Sequence, residues 1–200
     1  MCRRGIWSLS ERCRPRIYLE TNVHLRRIGS VPYQIPFEDE TFDVVVSDQV
    51  FEHVRNYDET LAELSRVMKP GSIGLHRFPS RLRPLESHVK VPFSSVFRNR
   101  VWMRFWIRCG FRKPGQAGEV PHVVADRNLD YLNNSTNYLR GREIMEAFGK
   151  YFSKAGYADR CWFSNSPNRR GRVLGAAARW IPVIPWIYRT FWTRVVFHVK

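Results

Sequence analysis

Glycine is scarce where a nucleotide-binding turn would need it. Ahead of Asp43 the chain has only Gly5 and Gly29, and neither stands in a G-x-G setting. A Gly-rich turn lets backbone approach a ligand closely, so no such loop precedes that point. Cysteine is thin as well. Cys2, Cys13, Cys109 and Cys161 are scattered, with no C-x-x-C pair. That argues against a structural zinc site and against a disulfide framework, so we expect no metal and reduced thiols in a cytoplasmic setting. Long uncharged runs are missing too. The most apolar stretch, residues 176–192, is broken by Arg179, Pro182, Pro185 and Arg189, whereas a membrane span needs about 20 mostly uncharged residues. It is suited at most to lying on a membrane surface. The opening MCRRGIWSLSERCRPR has no apolar core segment and does not read as a secretory signal. Internal repeats are absent.

Acidic residues are few and concentrated. The net charge is +15, yet residues 31–70 carry nine acids against three bases. That segment is an acidic island in a basic chain. The basic remainder permits an anionic partner, nucleic acid or a membrane surface, but charge speaks to solubility rather than to fold. Two hundred residues, 44% of them hydrophobic, suffice for one domain with a core. We divide the chain into an atypical basic segment, 1–30, and a domain over 31–200.

The island holds the chain's clearest organisation. Phe42, Val44, Val45 and Val46 form a short apolar run, which suits a parallel strand buried on both faces. Ser47, Asp48 and Gln49 follow as a polar turn. Asn56 with Glu59 three positions later gives a capping-box-like helix start. Leu61, Leu64 and Met68 recur at helical spacing, and Pro70-Gly71 supplies a stop. Ile73 to Phe78 reads as the next strand. A strand, turn, helix and strand in this order is half of a βαβ unit, and ligands of open α/β sheets bind at the carboxyl ends of the strands.

The string Ile35-Pro36-Phe37, Asp39, Thr41-Phe42-Asp43, Ser47, Glu52-His53-Val54, then Val67-Met68-Lys69-Pro70-Gly71 resembles the class I S-adenosylmethionine-dependent methyltransferases, specifically the "type 11" group. Ser72 stands where the group has a second glycine. The resemblance implies an α/β fold with a Rossmann-like methyltransferase sheet and S-adenosylmethionine as cofactor. It makes Phe42–Val46 the fourth strand. Ser47, Asp48 and Gln49 would lie beside the methionine part of the cofactor, and Tyr33, Gln34 and Ile35 near the adenine. The acid expected for the ribose has Glu20 as its best match. Only about forty residues precede the fourth strand, and one βαβ unit takes roughly 30. We therefore expect an N-terminally truncated sheet with strands four to seven retained, and a truncated copy with weak or no activity.

Elsewhere, residues 98–113 read as a basic aromatic helical insertion. Trp102, Phe105, Trp106 and Cys109 share one face, and Arg100, Arg104, Arg108 and Arg112 stack on another, which costs stability in isolation. Residues 135–155 read as a helix, 157–164 as a strand, 166–175 as a polar loop and 195–199 as a final strand, matching the family's closing strands six and seven. His53, just after the cofactor turn, is the candidate catalytic base, set against a structural role in capping or packing the next helix. Glu52 stands in the same position, and His76 and Arg81 at the next strand's end are candidate acceptor contacts. The leading expectation is methyl transfer to an unidentified small-molecule or lipid-like acceptor. The alternative is a non-enzymatic basic module that binds nucleic acid or an anionic membrane surface.

Overall fold

The computed structural model describes residues 29–30 and 32–200. The basic segment read over 1–30, and Glu20 within it, falls almost entirely outside the described residues. The described part is mixed α/β, as expected. A two-stranded ladder, β1 (Gly29–Ser30) with β2 (Tyr33–Gln34), precedes a four-stranded sheet. In that sheet β3 (Phe42–Asp48) is joined through α1 (Tyr57–Val67) to the parallel β4 (Met68–Pro79). The last strand, β6 (Thr193–Val199), inserts between β4 and β5 (Lys154–Tyr157) and is antiparallel to both. The order is therefore β3-β4-β6-β5.

Helix α1 forms where its stripe predicts, with Tyr57, Thr60, Leu61, Leu64 and Val67 buried. Its start differs. The Asn56 side chain donates to Glu59 Oε2 at 2.7 Å and makes no bond to the helix backbone. Gly71 takes φ +75° as a stop requires, but pairing already begins at Met68. A register shift between Phe42 and Val44 absorbs the extra residues.

Two cores result. Phe51, Leu61, Met68 and Phe78 meet Phe148 from α4 (Gly141–Tyr151) and Val196 on one face of the sheet. On the other face Val44, Val46 and Ile73 stay about half exposed, at 53%, 52% and 50%. The expectation of a strand buried on both faces thus fails among the described residues, because their helices cover only one. The second core packs α2 (Arg100–Arg108) on α3 (Pro121–Ser135) through Met103, Ile107, Val124 and Leu132, with Val89 and Val91.

Several boundaries moved. Helix α2 is shorter than 98–113; Asn99 caps it by accepting from the Trp102 amide at 2.9 Å. Its buried residues are Met103 and Ile107, while Phe105 and Cys109 of the expected stripe are exposed. The stacked arginines are partly consumed. Arg100 pairs with Asp126 at 2.9 Å, and Arg112 donates to the carbonyls of Ile107, Gln116 and Glu119. Of the helix read over 135–155 only α4 forms; α3 ends at Ser135, residues 136–140 separate the two helices, and β5 begins at Lys154. The strand read over 157–164 ends at Tyr157, and α5 (Asp159–Ser164) follows, anchored by the buried Asp159 carboxylate, which pairs with half-buried Arg189 at 3.2 Å. The polar loop gives way to α6 (Arg169–Trp180), and α7 (Val183–Phe191) begins just after Pro182. Among the described residues no helix is long and apolar enough to cross a membrane.

Candidate functional site

The turn after β3 is fixed by its parallel neighbour. Register pairs Ser47 with His76 and Asp48 with Arg77. The Ser47 hydroxyl lies 2.8 Å from His76 Nδ1. Arg77 grips Asp48 with two charge-assisted bonds, Nε to Oδ1 at 2.8 Å and Nη2 to Oδ2 at 2.6 Å. Gln49 is exposed and left-handed, φ +56°, with its amide held by the Arg77 carbonyl at 2.8 Å. A non-glycine residue in that region costs about 1–2 kcal/mol, so the surrounding bonds impose the bend.

Behind Ser47 lies a buried imidazole pair. His76 Nε2 and His198 Nε2 are 2.9 Å apart, with the rings stacked at 8°. Gly74 makes room for His198, since a Cβ there would sit 1.8 Å from its Nε2. Burial pushes His76 down to about 3, helped by the neighbouring His198, and pushes His198 down to about 4. Both rings are neutral near pH 7. His76 is fully buried, so it supports the turn and does not meet an acceptor.

Past Gln49 the chain doubles back. Phe51 enters the core, the Glu52 side chain is buried, and His53 is exposed. Among the described residues neither Glu52 carboxylate oxygen has a hydrogen-bond partner. Burial raises the Glu52 pKa; its own amide, His53 and His88 offset part of that. His53 Nδ1 lies 2.5 Å from the Ser135 carbonyl. The segment is strapped to the end of α3 and the connection after it by further bonds: Asn137 N to Glu52 O at 2.6 Å, Asn137 Nδ2 to Val54 O at 2.8 Å, and Arg55 to the Asn133 carbonyl. His88 joins the group from the loop after β4. Its Nδ1 lies 2.8 Å from Glu86 Oε1, and Glu86 also accepts from Tyr138 and from the amides of His88 and Val89. Burial opposes ionisation of Glu86, but those bonds outweigh it and the pKa falls below the usual carboxylate value.

The structure therefore brings Ser47, Asp48, Gln49 and His53 to one end of β3. It does not bring Tyr33, Gln34 and Ile35 there. The Ile35 amide donates to Glu63 Oε2 at 2.9 Å and its carbonyl accepts from Arg66 at 2.9 Å, both near the end of α1. That end of α1 leads into Met68, which pairs with Phe42 at the start of β3. Seven strand residues, roughly 20 Å at about 3.3 Å each, separate the two groups. Sequence reasoning also missed Arg77, Glu86, His88 and His198, which arrive through long-range pairing and carry no local motif.

The turn suits the methionine end of the expected cofactor, since an ammonium matches the Asp48 carboxylate and a carboxylate matches Arg77. Among the described residues no Gly-rich turn faces it.

Residues 12–75 match the profile of the methyltransferase domain family. Over 45 residues the chain is 49% identical to an uncharacterized methyltransferase of Schizosaccharomyces pombe; the alignment covers 22% of this chain and 16% of the relative. Similar solved structures include phosphoethanolamine N-methyltransferase 2 of Haemonchus contortus with phosphomonomethylethanolamine and S-adenosylhomocysteine (13% identity, TM-score 0.39, covering 86% of this chain and 36% of that one). Another is an S-adenosylmethionine-dependent methyltransferase of Mesorhizobium loti (12% identity, TM-score 0.46, covering 96% and 78%). The family resemblance read from Ile35 to Gly71 is borne out by the profile match, and S-adenosylmethionine is the cofactor that goes with it.

Proposed function

From a chain whose residues 12–75 match a methyltransferase domain, we propose an S-adenosylmethionine-dependent methyltransferase acting on a small-molecule or lipid-like acceptor. The observation that carries this is the Asp48–Arg77 pair at the ends of adjacent parallel strands, beside the left-handed Gln49. Asp48 and Arg77 would hold the amino-acid end of the cofactor, and Ser47 would support the turn. The bound cofactor supplies an electrophilic methyl group. The chain's own work is orientation, which carries most of such a barrier when no strong base is needed. His53 is the group placed to accept an acceptor proton: with Nδ1 on the Ser135 carbonyl, Nε2 keeps its lone pair.

Calorimetry with S-adenosylmethionine and S-adenosylhomocysteine on the full chain tests it. We expect saturable binding, weakened at least tenfold in Arg77→Met. Absence of binding at millimolar ligand removes the proposal.

A second reading, contact with an anionic membrane surface, has one observation in its favour. Trp180 is 87% exposed, and Ile181, Val183, Trp186 and Ile187 are exposed beside it on α6 and α7. No acid occurs in residues 160–200. Exposed aromatics among cations suit an interfacial helix pair. Sedimentation with phosphatidylserine vesicles, compared with neutral ones, tests this reading; equal binding to neither or both discards it.

A further inference from the structure

We propose that Glu52, His53 and His88 form a binding site for a divalent first-row transition metal such as Zn²⁺. One ligand atom from each residue lies within 4.8 Å of the other two. Two imidazoles and one carboxylate are a donor set that suits zinc and its neighbours rather than calcium or magnesium. Scarcity of cysteine, the ground for expecting no metal, does not bear on such a set.

Three features set the group apart from a chance cluster. The first is Glu52. Its side chain is 1% exposed, and among the described residues neither oxygen has a hydrogen-bond partner. A buried carboxylate left bare is costly, and an ion beside it removes that cost. The second is the orientation of the histidines. Each has Nδ1 against an acceptor, the Ser135 carbonyl for His53 and Glu86 Oε1 for His88. Both bonds fix the Nδ1–H tautomer and leave the Nε2 lone pair for a cation, as outer acceptors do for metal-bound imidazoles. Glu86 is itself clamped by Tyr138 Oη at 2.6 Å and by the His88 and Val89 amides at 2.7 Å each. The third is position. Glu52 and His53 follow the turn after β3, so a metal held there has open coordination sites beside the proposed cofactor turn.

Ligands on a tetrahedral zinc lie about 3.4 Å apart, from bond lengths of about 2.0–2.1 Å. The group must therefore contract by at most about 1.4 Å. His53 is exposed and can rotate to close it. In the metal-loaded protein His53 Nε2 is a ligand, and an acceptor hydroxyl bound to the metal loses its proton more readily without a separate base.

The test is calorimetric titration of the metal-free full chain with ZnCl₂, with optical titration by Co²⁺ as a second readout of the ligand set. We expect one ion per chain at micromolar affinity or tighter. His53→Asn and His88→Asn should each weaken it at least 100-fold. Glu86→Gln, which touches no metal, should weaken it 10–100-fold. His122→Asn, at an exposed histidine elsewhere, should leave it unchanged. His53→Asn alters a surface side chain, so its fold, checked by circular dichroism, stays intact even if buried Glu52→Gln unfolds. No saturable one-to-one binding, or wild-type affinity in both His53→Asn and His88→Asn, overturns the proposal. Cofactor calorimetry on the metal-free chain is read separately, so this result and the methyltransferase reading stand or fall independently.

Discussion

Acid should weaken this fold through the buried histidine pair, by an amount that can be worked out. In the unfolded chain both histidines titrate near 6.5, whereas burial holds His76 at about 3 and His198 at about 4. A depressed histidine contributes stability that is present above the unfolded value and lost as pH falls toward the folded one. Each proton taken up only by the unfolded state costs about 1.4 kcal/mol per pH unit. From pH 6.5 to 5 that is about 2 kcal/mol per ring, about 4 for the pair. Asp159 opposes this. Burial raises it to about 6 from 3.8, so it returns about 1.4 kcal/mol over the same range, and buried Glu52 acts in the same direction. The histidines win, and the net loss between pH 7.5 and 5 is about 2–3 kcal/mol, a large fraction of a typical 5–15. The assay is urea unfolding at both pH values, followed by tryptophan fluorescence. His198→Gln removes one titrating ring and keeps a hydrogen-bonding side chain beside His76. It should lose about 2 kcal/mol less than wild type between the two pH values, whatever its stability at pH 7.5. Identical pH slopes for wild type and variant would refute the reasoning, since His198 would then protonate freely inside the fold.

Gly74→Ala should destabilise by about 3 kcal/mol, the upper end of overpacking costs, because the new methyl meets the His198 ring rather than the flexible end of a chain; thermal unfolding reads it. Arg66, braced by Glu63 one turn away, ties the carbonyls of Ile35 and Phe37 and the Asp39 side chain to α1. Arg66→Met should therefore speed amide exchange and proteolysis over residues 33–40 while leaving β4 protected. Arg77→Met and the metal titration complete the set.

What the sequence made legible was local. Strand β3 and helix α1 follow from apolar spacing and from residues whose backbone preferences are strong, although the helix ends at Val67, short of Pro70-Gly71. The final strand was legible too, as a β-branched run. Helix α3 was not, because Pro121 at its first turn looks like punctuation until it is seen to need no partner for its missing N–H. The helix over 159–164 was masked by aromatics that favour strands, Trp162 and Phe163, and depends on a partner thirty residues away, Arg189. The candidate site divides in the same way. Ser47, Asp48, Gln49 and His53 lie on one continuous turn. His88 and Glu86 reach it only because the loop after β4 folds back against α3, a contact no spacing encodes. Ile35, set near the adenine by the family resemblance, lies instead at the end of α1 with Glu63 and Arg66, contacts that no local spacing announces.

The 2.9 Å contact between two imidazole nitrogens admits only one hydrogen. If His76 supplies it, His76 Nδ1 is a bare acceptor and the Ser47 hydroxyl must donate inward. If His198 supplies it, His76 Nδ1 carries the other hydrogen, and Ser47 is free to donate outward to whatever occupies the turn. His198 Nδ1, buried and without a partner among the described residues, is the far end of this chain and carries a hydrogen in the first state only. The hydrogen-bonding character that Ser47 shows at the mouth of the site is thus written by a tautomer choice made two rings away, in the interior of the sheet.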